Sequence, residues 1–365
     1  MPRRTPLGAP LRQQGASDEP GISAAPPAFP LGPGDLRILF QDLLGRPPLA
    51  AERGRWLGRG RPELLTEVLA SEDFWRAWLE EQLYYFLLIR NFRPESDGVT
   101  ALPAELAAGR AGAIDALHRI ALSPAFDQRN PGADTFVTVV MEQLLGIEVQ
   151  SSPRELEIGK ALYDGEQGVF LEHGGSSQAD VVRIAIEDRR CARKLVAREH
   201  ARLMRGAVGA REVNGWARDL ENGALRFGKL VEQWLLSPAW EERRLHRRPL
   251  PNRLFVRTLF VDLVDRLPDD DEMRAMANAL DGLSDPGPLR SVLARLLLDS
   301  GTAPLPEREQ IADPTAWIAG LFERLLGRVA TDEELRVFVK SFHDPACRPR
   351  TILYAILSHP EYHVF

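Results

Sequence analysis

The chain has 365 residues, of which 44% are hydrophobic, and a net charge of -6. This length allows two or three domains or one array of helical repeats, with a core of ordinary size. The acidic balance argues against nucleic acid as the main partner, because nucleic-acid-binding surfaces are usually basic. No apolar stretch reaches the roughly 18 residues of a membrane-spanning helix, so we expect no membrane span.

The two cysteines, Cys191 and Cys347, are far apart in the sequence, and neither belongs to a C-x-x-C pattern. A disulfide framework and a cysteine zinc site are therefore not expected. Free cysteines fit a reducing compartment, and the basic N-terminal residues are not followed by the apolar region of a secretory signal. We predict a cytoplasmic protein without a cofactor.

Composition and periodicity divide the chain into segments. The N-terminal segment is rich in proline, glycine and alanine, which cannot bury enough surface to offset the entropy of ordering. The segment 148–177 carries turn residues and a short β-like piece at 169–171, whereas the three longer segments show helical periodicity. The predicted segments are a disordered extension (1–33), an N-terminal helical domain (34–147), an irregular insertion (148–177), a middle helical unit (178–248) and C-terminal helical units (249–365).

A two-part motif recurs along the chain and is its strongest regularity. The first part is a helix with a leucine-rich end, reading LFQDLLGRPP from Leu39, TLFVDLVDRLPDDDE from Thr258 and LFERLLGRVATDEE from Leu321. The second part is an apolar run that ends in Ser-x-x-aromatic, reading VLASEDFW from Val68, IALSPAF from Ile120 and WLLSPAW from Trp234. AILSHPEY from Ala355 fits the same pattern with one residue inserted before the aromatic. Such repetition predicts an all-α fold of tandem repeated helix pairs with one irregular insertion.

The Ser-x-x-aromatic corner has a structural interpretation. A serine at the N-cap accepts a backbone N–H of the next turn, and a proline at the first helical position leaves no donor unsatisfied. We expect the aromatic side chain to point inward as an anchor. Carboxylates at Asp269–Glu272 are likewise interpreted as helix capping, because they complement the helix dipole.

One loop groups residue types that catalysis uses. Glu172, His173, Ser176 and Asp180, together with the later His200, provide nucleophile, base and acid types. Glycines in the same loop could let the backbone approach an anion at the following helix. The G-x-S-x-G elbow and the phosphate-binding loop are both absent, so the alternative is a loop in which Ser176 or Ser177 caps a helix.

Two other groups are weaker candidates. His359 and His363 have the i, i+4 spacing of two metal ligands, but the H-E-x-x-H spelling is absent and Pro360 would begin the helix after His359. A basic run supplies a candidate contact surface for an acidic partner, or a solvated joint between helical units. Its arginines are Arg243, Arg244, Arg247 and Arg248.

Several of these segments resemble a known family. LFERLLGRVATDEELRVFV followed by ILYAILSHPEYHVF resembles the end of the planctomycete cytochrome-associated domains of unknown function, and VLASEDFWRAWLEEQLYYF resembles their Trp-containing helix. GGSSQADVVRIAIEDRRCARKLVAREHARLMRG with the later WLLSPAW is similar to related bacterial domains. Those proteins are usually exported and often lie beside haem c modules. This chain lacks C-x-x-C-H, so the resemblance implies no covalent haem, and it implies no activity.

The absence of a catalytic signature and the helical repetition favour one function. We predict a non-enzymatic helical scaffold or adaptor for protein–protein assembly, with a protein partner or self-association, because helical arrays present extended grooves. The alternative is an enzyme or ligand-binding protein that uses the 172–180 loop and His200. A third hypothesis, an accessory of an envelope-associated redox system, follows from the resemblance alone.

Overall fold

The computed structural model describes residues 30–88, 97–243 and 245–365, and helices dominate these ranges. The all-α class is therefore confirmed, and no helix in the described ranges is long and apolar enough to cross a membrane. The α-helices are α1 (Pro33–Leu44), α2 (Ala50–Trp56), α3 (Arg61–Ala70), α4 (Glu72–Leu87), α5 (Asp97–Thr100), α6 (Leu102–Ala107), α7 (Ala113–Ala121), α8 (Pro124–Arg129), α9 (Gly132–Val139), α10 (Pro153–Tyr163), α11 (Gln178–Glu187), α12 (Arg189–Met204), α13 (Ala210–Glu221), α14 (Phe227–Leu236), α15 (Ala239–Arg243), α16 (Asn252–Val264), α17 (Asp270–Asp281), α18 (Gly287–Asp299), α19 (Pro314–Leu326), α20 (Asp332–His343) and α21 (Pro349–Leu357).

Shorter elements complete the described chain. A π-helical turn extends α9, and three 3-10 turns lie in the connections; these are Val140–Leu145, Val149–Ser151, Arg308–Gln310 and Pro360–His363. Strands β1 (Gly168–Phe170) and β2 (His173–Gly175) form an antiparallel hairpin in which Val169 pairs with Gly174. Leu171 and Glu172 form its tight turn with φ angles of 48° and 71°, the left-handed conformation that such turns require.

Two separate hydrophobic cores organise the helices. The first contains buried side chains from Leu31 to Trp240, and the second contains buried side chains from Leu250 to Phe365. We call the helices around the first core, α1–α15, the N-lobe and those around the second, α16–α21, the C-lobe. The segment 243–251 connects the two.

The beginning of the N-lobe differs from the prediction. Residues 1–29 lie outside the described residues, but the predicted extension to residue 33 is too long. Leu31 is buried and its amide donates to the carbonyl of Arg59 at 2.8 Å, and Pro33 opens α1. Proline suits a first helical position because that position has no hydrogen bond to lose.

The segment 148–177 is less irregular than predicted. It contains α10 and the β-hairpin, and the hairpin includes most of the β-like piece foreseen at 169–171. Polar residues and Gly159 obscure the helical pattern of α10 in the sequence. Gly159 is required there by close packing, because a Cβ at this position would clash with Val137.

The Ser-x-x-aromatic corners follow the expected chemistry at two of four sites. Ser71 and Ser123 cap α4 and α8 by accepting the amides of Phe74 and Phe126. The Ser237 hydroxyl instead donates to the carbonyl of Trp234. At the last corner His359 is the cap, since the inserted residue moves the turn by one position. All four aromatic anchors are buried as predicted; they are Phe74, Phe126, Trp240 and Tyr362.

The three copies of the first motif end in corners with the same contacts. In each, a left-handed residue ends the helix, and the next residue is an arginine that forms two hydrogen bonds to a glutamate six positions later. That glutamate also accepts the N-cap amide of the following helix, and the arginine packs on a phenylalanine six positions earlier. The sets are Phe40–Arg46–Glu52, Phe260–Arg266–Glu272 and Phe322–Arg328–Glu334. The wider arrangement in tandem repeated pairs stays a prediction.

The lobes meet where helices bearing this motif pack together. Arg37 of α1 donates two hydrogen bonds to Asp262 of α16, at 3.0 and 2.8 Å, and one to the carbonyl of Arg324 in α19. The Tyr362 hydroxyl donates to the same Asp262 carboxylate at 3.0 Å. These groups are buried, so the junction is a polar network with satisfied partners rather than a loose contact.

Candidate functional site

The 172–180 loop is used for helix capping. The hydroxyl of Ser177 accepts the amide of Asp180 at the start of α11, and the Asp180 carboxylate accepts the Ser176 amide at 3.0 Å and the Ser177 hydroxyl at 2.8 Å. These bonds, with those from Arg183, lower the pKa of Asp180 to about 2. Glu172 and His173 are exposed on the hairpin. This matches the capping interpretation of the loop.

His200 lies in a different environment. Its ring stacks on Trp216 and meets Trp234 edge-on, with centroids 5.6 and 5.1 Å apart, and it is buried. Burial lowers the pKa of His200, so the neutral imidazole is favoured. Glu172 of the hairpin interacts electrostatically with Arg190, which precedes His200 by ten residues in α12. Ten residues correspond to about 15 Å along a helix. The described contacts therefore do not join His200 to the loop.

The two C-terminal histidines also have structural surroundings. The Nδ1 atom of His359 accepts the amide of Glu361, and the ring of His363 stacks on Phe255. Burial lowers the pKa of His363. Among the described residues, no group of three or more histidine, cysteine or acidic side chains has an arrangement that would hold a metal ion.

The basic run divides among three environments, which corrects its interpretation as one contact surface. Arg243 is buried: it forms an ion pair with Asp42 and donates to the carbonyl of Leu203. Its position three residues after the anchor Trp240 turns it inward. Arg244 lies outside the described residues. Arg247 remains exposed, 3.5 Å from Glu361, and Arg248 lines a cavity.

That cavity is a cleft between the lobes with a volume of about 560 Å³. We call it the interlobe cleft. Its walls come from the end of α1, from α4 and α12 in the N-lobe, and from the connecting segment and α16. The lining residues used below are Asp42, Leu43, Ala77, Glu80, Glu81, Tyr84, Arg202, Arg248, Leu250, Leu254, Arg257 and Phe365.

A buried charge network forms the floor of the cleft. The Asp42 carboxylate contacts Arg243 and lies 3.4 Å from Arg205, and Arg202 donates to the Asp42 carbonyl at 3.0 Å. Burial raises the pKa of Asp42, and these arginines oppose that change. Burial also lowers the pKa of Arg205 to about 10. Both effects show that charge here is only partly solvated.

A second acidic group orders the N-lobe wall. Glu199 accepts hydrogen bonds from Gln82 at 2.9 Å and from Arg202 at 3.0 Å. Burial opposes ionisation, but the neighbouring Arg202 and Arg198 outweigh it and lower the pKa of Glu199. Arg202 thus bridges Glu199 and the floor of the cleft, and its position is well defined.

The lining of the interlobe cleft combines charged, aromatic and aliphatic side chains. The described lining contains no serine, threonine, cysteine, histidine or lysine, and its acidic and hydroxyl groups belong to Asp42, Glu80, Glu81 and Tyr84. Glu80 is engaged by Arg257 at 2.8 Å and by Arg253 at 3.5 Å. The cleft offers arginine donors beside apolar side chains, which suits recognition of a partly polar ligand.

A second cavity of about 780 Å³ lies within the N-lobe, beside Trp75 and Phe227. Several polar side chains of its lining form hydrogen bonds with one another or with the backbone. Glu232 contacts Lys229 and Thr66, and Asp115 caps α7. Its lining also includes the charged side chains of Arg110, Arg226 and Glu221, and all of its lining residues belong to the N-lobe.

Sequence reasoning did not identify the charge network. The available signal was an aspartate within each of two apolar helices, at matching positions of the repeated motif: Asp42 in LFQDLL and Asp262 in LFVDLV. A carboxylate in an apolar helical face predicts a buried cationic partner. The identity of that partner depends on tertiary structure, because Arg243 and Arg37 are distant in sequence.

Comparison of the chain with protein-family models, curated proteins and solved structures finds no match to any of them. The resemblance to cytochrome-associated domains of unknown function therefore stays a prediction.

Proposed function

We propose that this protein is a non-enzymatic helical scaffold whose interlobe cleft binds a segment of a partner protein. The main support for the proposal is the cleft itself: both lobes build it, and its lining offers several arginine donors beside apolar surface. A volume of this size accommodates a few side chains, as in peptide-binding sites.

The rigidity of the surroundings supports this proposal. Bonds between Arg37 and Asp262 tie the lobes together on one side, and Arg257 and Glu80 tie them across the cleft. A cleft whose walls are held in place before binding loses less conformational entropy when a ligand enters. The 172–180 loop and His200 do not form one site. Their contacts therefore give no support to the alternative function, an enzyme or ligand-binding protein that uses them.

Blocking the cleft tests the proposal. Ala77 lines the cleft from α4, and Ala77→Trp would fill part of it. Ala275 is exposed on α17, outside the lining, so Ala275→Trp is a matched control. The measurement is affinity purification of the tagged wild type and both variants from native cells, with quantitative mass spectrometry.

We expect a stoichiometric partner with the wild type and with Ala275→Trp, and its loss with Ala77→Trp. Circular dichroism and urea unfolding would establish that both variants are folded. Retention of the partner by a folded Ala77→Trp variant, or a wild type that purifies alone, would contradict the proposal.

A further inference from the structure

The interlobe cleft is cationic although the whole chain carries a net charge of -6. Its lining contains four arginines, Arg202, Arg248, Arg253 and Arg257, and three carboxylates, Asp42, Glu80 and Glu81. In the buried network next to the lining, Arg205 and Arg243 add two cations and Glu199 adds one carboxylate, which makes six arginines and four carboxylates in all. The charge near the cleft therefore has the opposite sign to that of the protein.

Two of the three carboxylates are already occupied. Asp42 contacts Arg243 and Arg205, and Glu80 contacts Arg257 and Arg253. Even so, Nη1 of the buried Arg243 has no hydrogen-bond acceptor among the described residues. Acceptors are thus scarcer than donors in this part of the molecule, and a buried donor without an acceptor costs stability.

Arg248 is the cation best placed to receive a ligand. No described side chain accepts a hydrogen bond from its guanidinium, and its Nε is buried without an acceptor. The guanidinium packs on the ring of Phe365, 4.9 Å from the centroid. Its main chain is held by two hydrogen bonds with Phe365, of 3.1 and 3.0 Å. The residue is therefore positioned and half-buried, and its carboxylate neighbours Asp42 and Glu81 act on it through space without a hydrogen bond.

Another part of the wall is apolar. Leu43, Leu250, Leu254 and the Phe365 ring line the cleft around Arg248. A free inorganic anion would leave this surface in contact with water. A peptide that carries an acidic side chain next to an apolar one would cover both parts of the wall.

We infer that the segment bound in the interlobe cleft is acidic, with a carboxylate on the Arg248 guanidinium and a neighbouring apolar side chain against Leu250, Leu254 and Phe365. A guanidinium matches a carboxylate in a two-bond geometry, which gives the contact both strength and direction. This inference rests on the proposed function and adds the chemistry of the partner.

Fluorescence anisotropy with two labelled peptides tests the inference on the full-length protein. One peptide alternates leucine and glutamate, and the other replaces every glutamate by glutamine. The variants are Arg248→Gln, Arg248→Lys and, as a control, Arg336→Gln on the exposed side of α20. Circular dichroism checks that each is folded.

We expect the wild type to bind the glutamate peptide at least about tenfold more tightly than the glutamine peptide, as charged hydrogen bonds typically allow. Arg248→Gln should remove this preference, Arg248→Lys should retain part of it, and Arg336→Gln should retain all of it. Added salt should weaken binding of the glutamate peptide only.

Equal affinity for the two peptides, or a preference that survives in Arg248→Gln, would overturn the inference. Tighter binding of inorganic phosphate or of a single-stranded RNA at Arg248 would also overturn it, because the ligand would then not be an acidic peptide. If Ala77→Trp abolished partner capture while the two peptides bound equally, the cleft would be supported as the binding site and its preference for acidic segments would be contradicted.

Discussion

Two buried aspartates at matching motif positions organise this protein. Asp42 draws Arg243 and Arg205 to the floor of the interlobe cleft, and Asp262 draws Arg37 and Tyr362 to the lobe junction. Each carboxylate is almost completely shielded from solvent, so its partners must satisfy it. The same residue type thus orders the floor of the interlobe cleft in one copy of the motif and the lobe junction in another.

Removal of Asp262 should show how much the junction depends on it. Asp262→Ala leaves the Arg37 cation and the Tyr362 hydroxyl buried without their acceptor, and we expect a loss of about 3–5 kcal/mol in the free energy of unfolding. Urea titration followed by circular dichroism measures this. Asp271→Ala, at an exposed position in the first turn of α17, removes a helix-dipole contact and should cost no more than about 1 kcal/mol.

The double variant Arg37→Met/Asp262→Leu removes both charges and should be less destabilised than Asp262→Ala, because no buried ion is left unpaired. A single variant as stable as the wild type would show that the network contributes nothing to the junction.

At the residue level, the sequence could predict helix caps and aromatic anchors but not charge partners. Asp269, Ser71 and Ser123 cap helices as foreseen, because capping depends on neighbours within one turn. Arg248 was foreseen as a contact residue and lines the cleft. Arg243 belonged to the same run, yet only the folded structure shows that it is buried against Asp42, 201 positions away in the sequence.

At the scale of the element, the recurrent corner links one helix to the next. The arginine of the corner contacts three groups: an aromatic ring of the preceding helix, a backbone carbonyl of the turn, and the glutamate in the first turn of the following helix. Most of these contacts are local in sequence. The spacing Phe-x5-Arg-x5-Glu is therefore a sequence signal for the corner, which the leucine-rich pattern alone did not reveal.

The contacts of Glu334 predict that the stability of the fold depends on pH. Its bonds from Arg328 and from Thr331 lower the pKa of Glu334 from 4.5 to about 2. A carboxyl group with a lower pKa in the folded state stabilises the fold above the unfolded pKa, and this stabilisation is lost as the pH falls through the folded pKa. The relevant window is therefore between about pH 4.5 and pH 2.

We expect Glu334→Gln to reduce stability at pH 7 and to lose less of what remains between pH 4.5 and pH 2 than the wild type does. Urea midpoints at several pH values measure the difference. The same acid dependence in both proteins would show that Glu334 does not act as its contacts indicate.

Prediction of the elements was most accurate where apolar periodicity was strong. In the predicted middle helical unit, for example, the periodic stretch forms α11 and α12, and Asp188 caps the second of these helices. Helix α10 was missed because its polar residues and Gly159 hide the face that packs on Val137 and Phe170. Packing against residues that are distant in sequence, rather than intrinsic helix propensity, decides whether such a helix forms.

At the scale of the whole molecule, two cores are joined by a polar junction, and the cleft depends on how closely they approach. The backbones of the two lobes lie close together at Gly34 in α1 and Gly327 at the end of α19, where a Cβ on Gly34 would clash with the Gly327 carbonyl. We expect Gly34→Ala to destabilise the protein by about 1–3 kcal/mol, since backbone would have to move.

Gly320→Ala in α19 is the matched control, because open space surrounds that position. It should leave stability unchanged or raise it by up to about 1 kcal/mol, as alanine favours helix more than glycine does. Differential scanning calorimetry of both variants would measure the shifts. Equal effects of the two substitutions would contradict close packing of the lobes at Gly34.

Site-specific photo-crosslinking in native cells would show whether a partner protein binds in the interlobe cleft. A benzophenone amino acid would replace Tyr84 in the cleft wall and, in a separate protein, Leu296 on the exposed face of α18. We predict one discrete crosslinked partner from position 84 and none from position 296. Crosslinks from position 296 alone, or from neither position, would contradict the assignment of the cleft as the binding site.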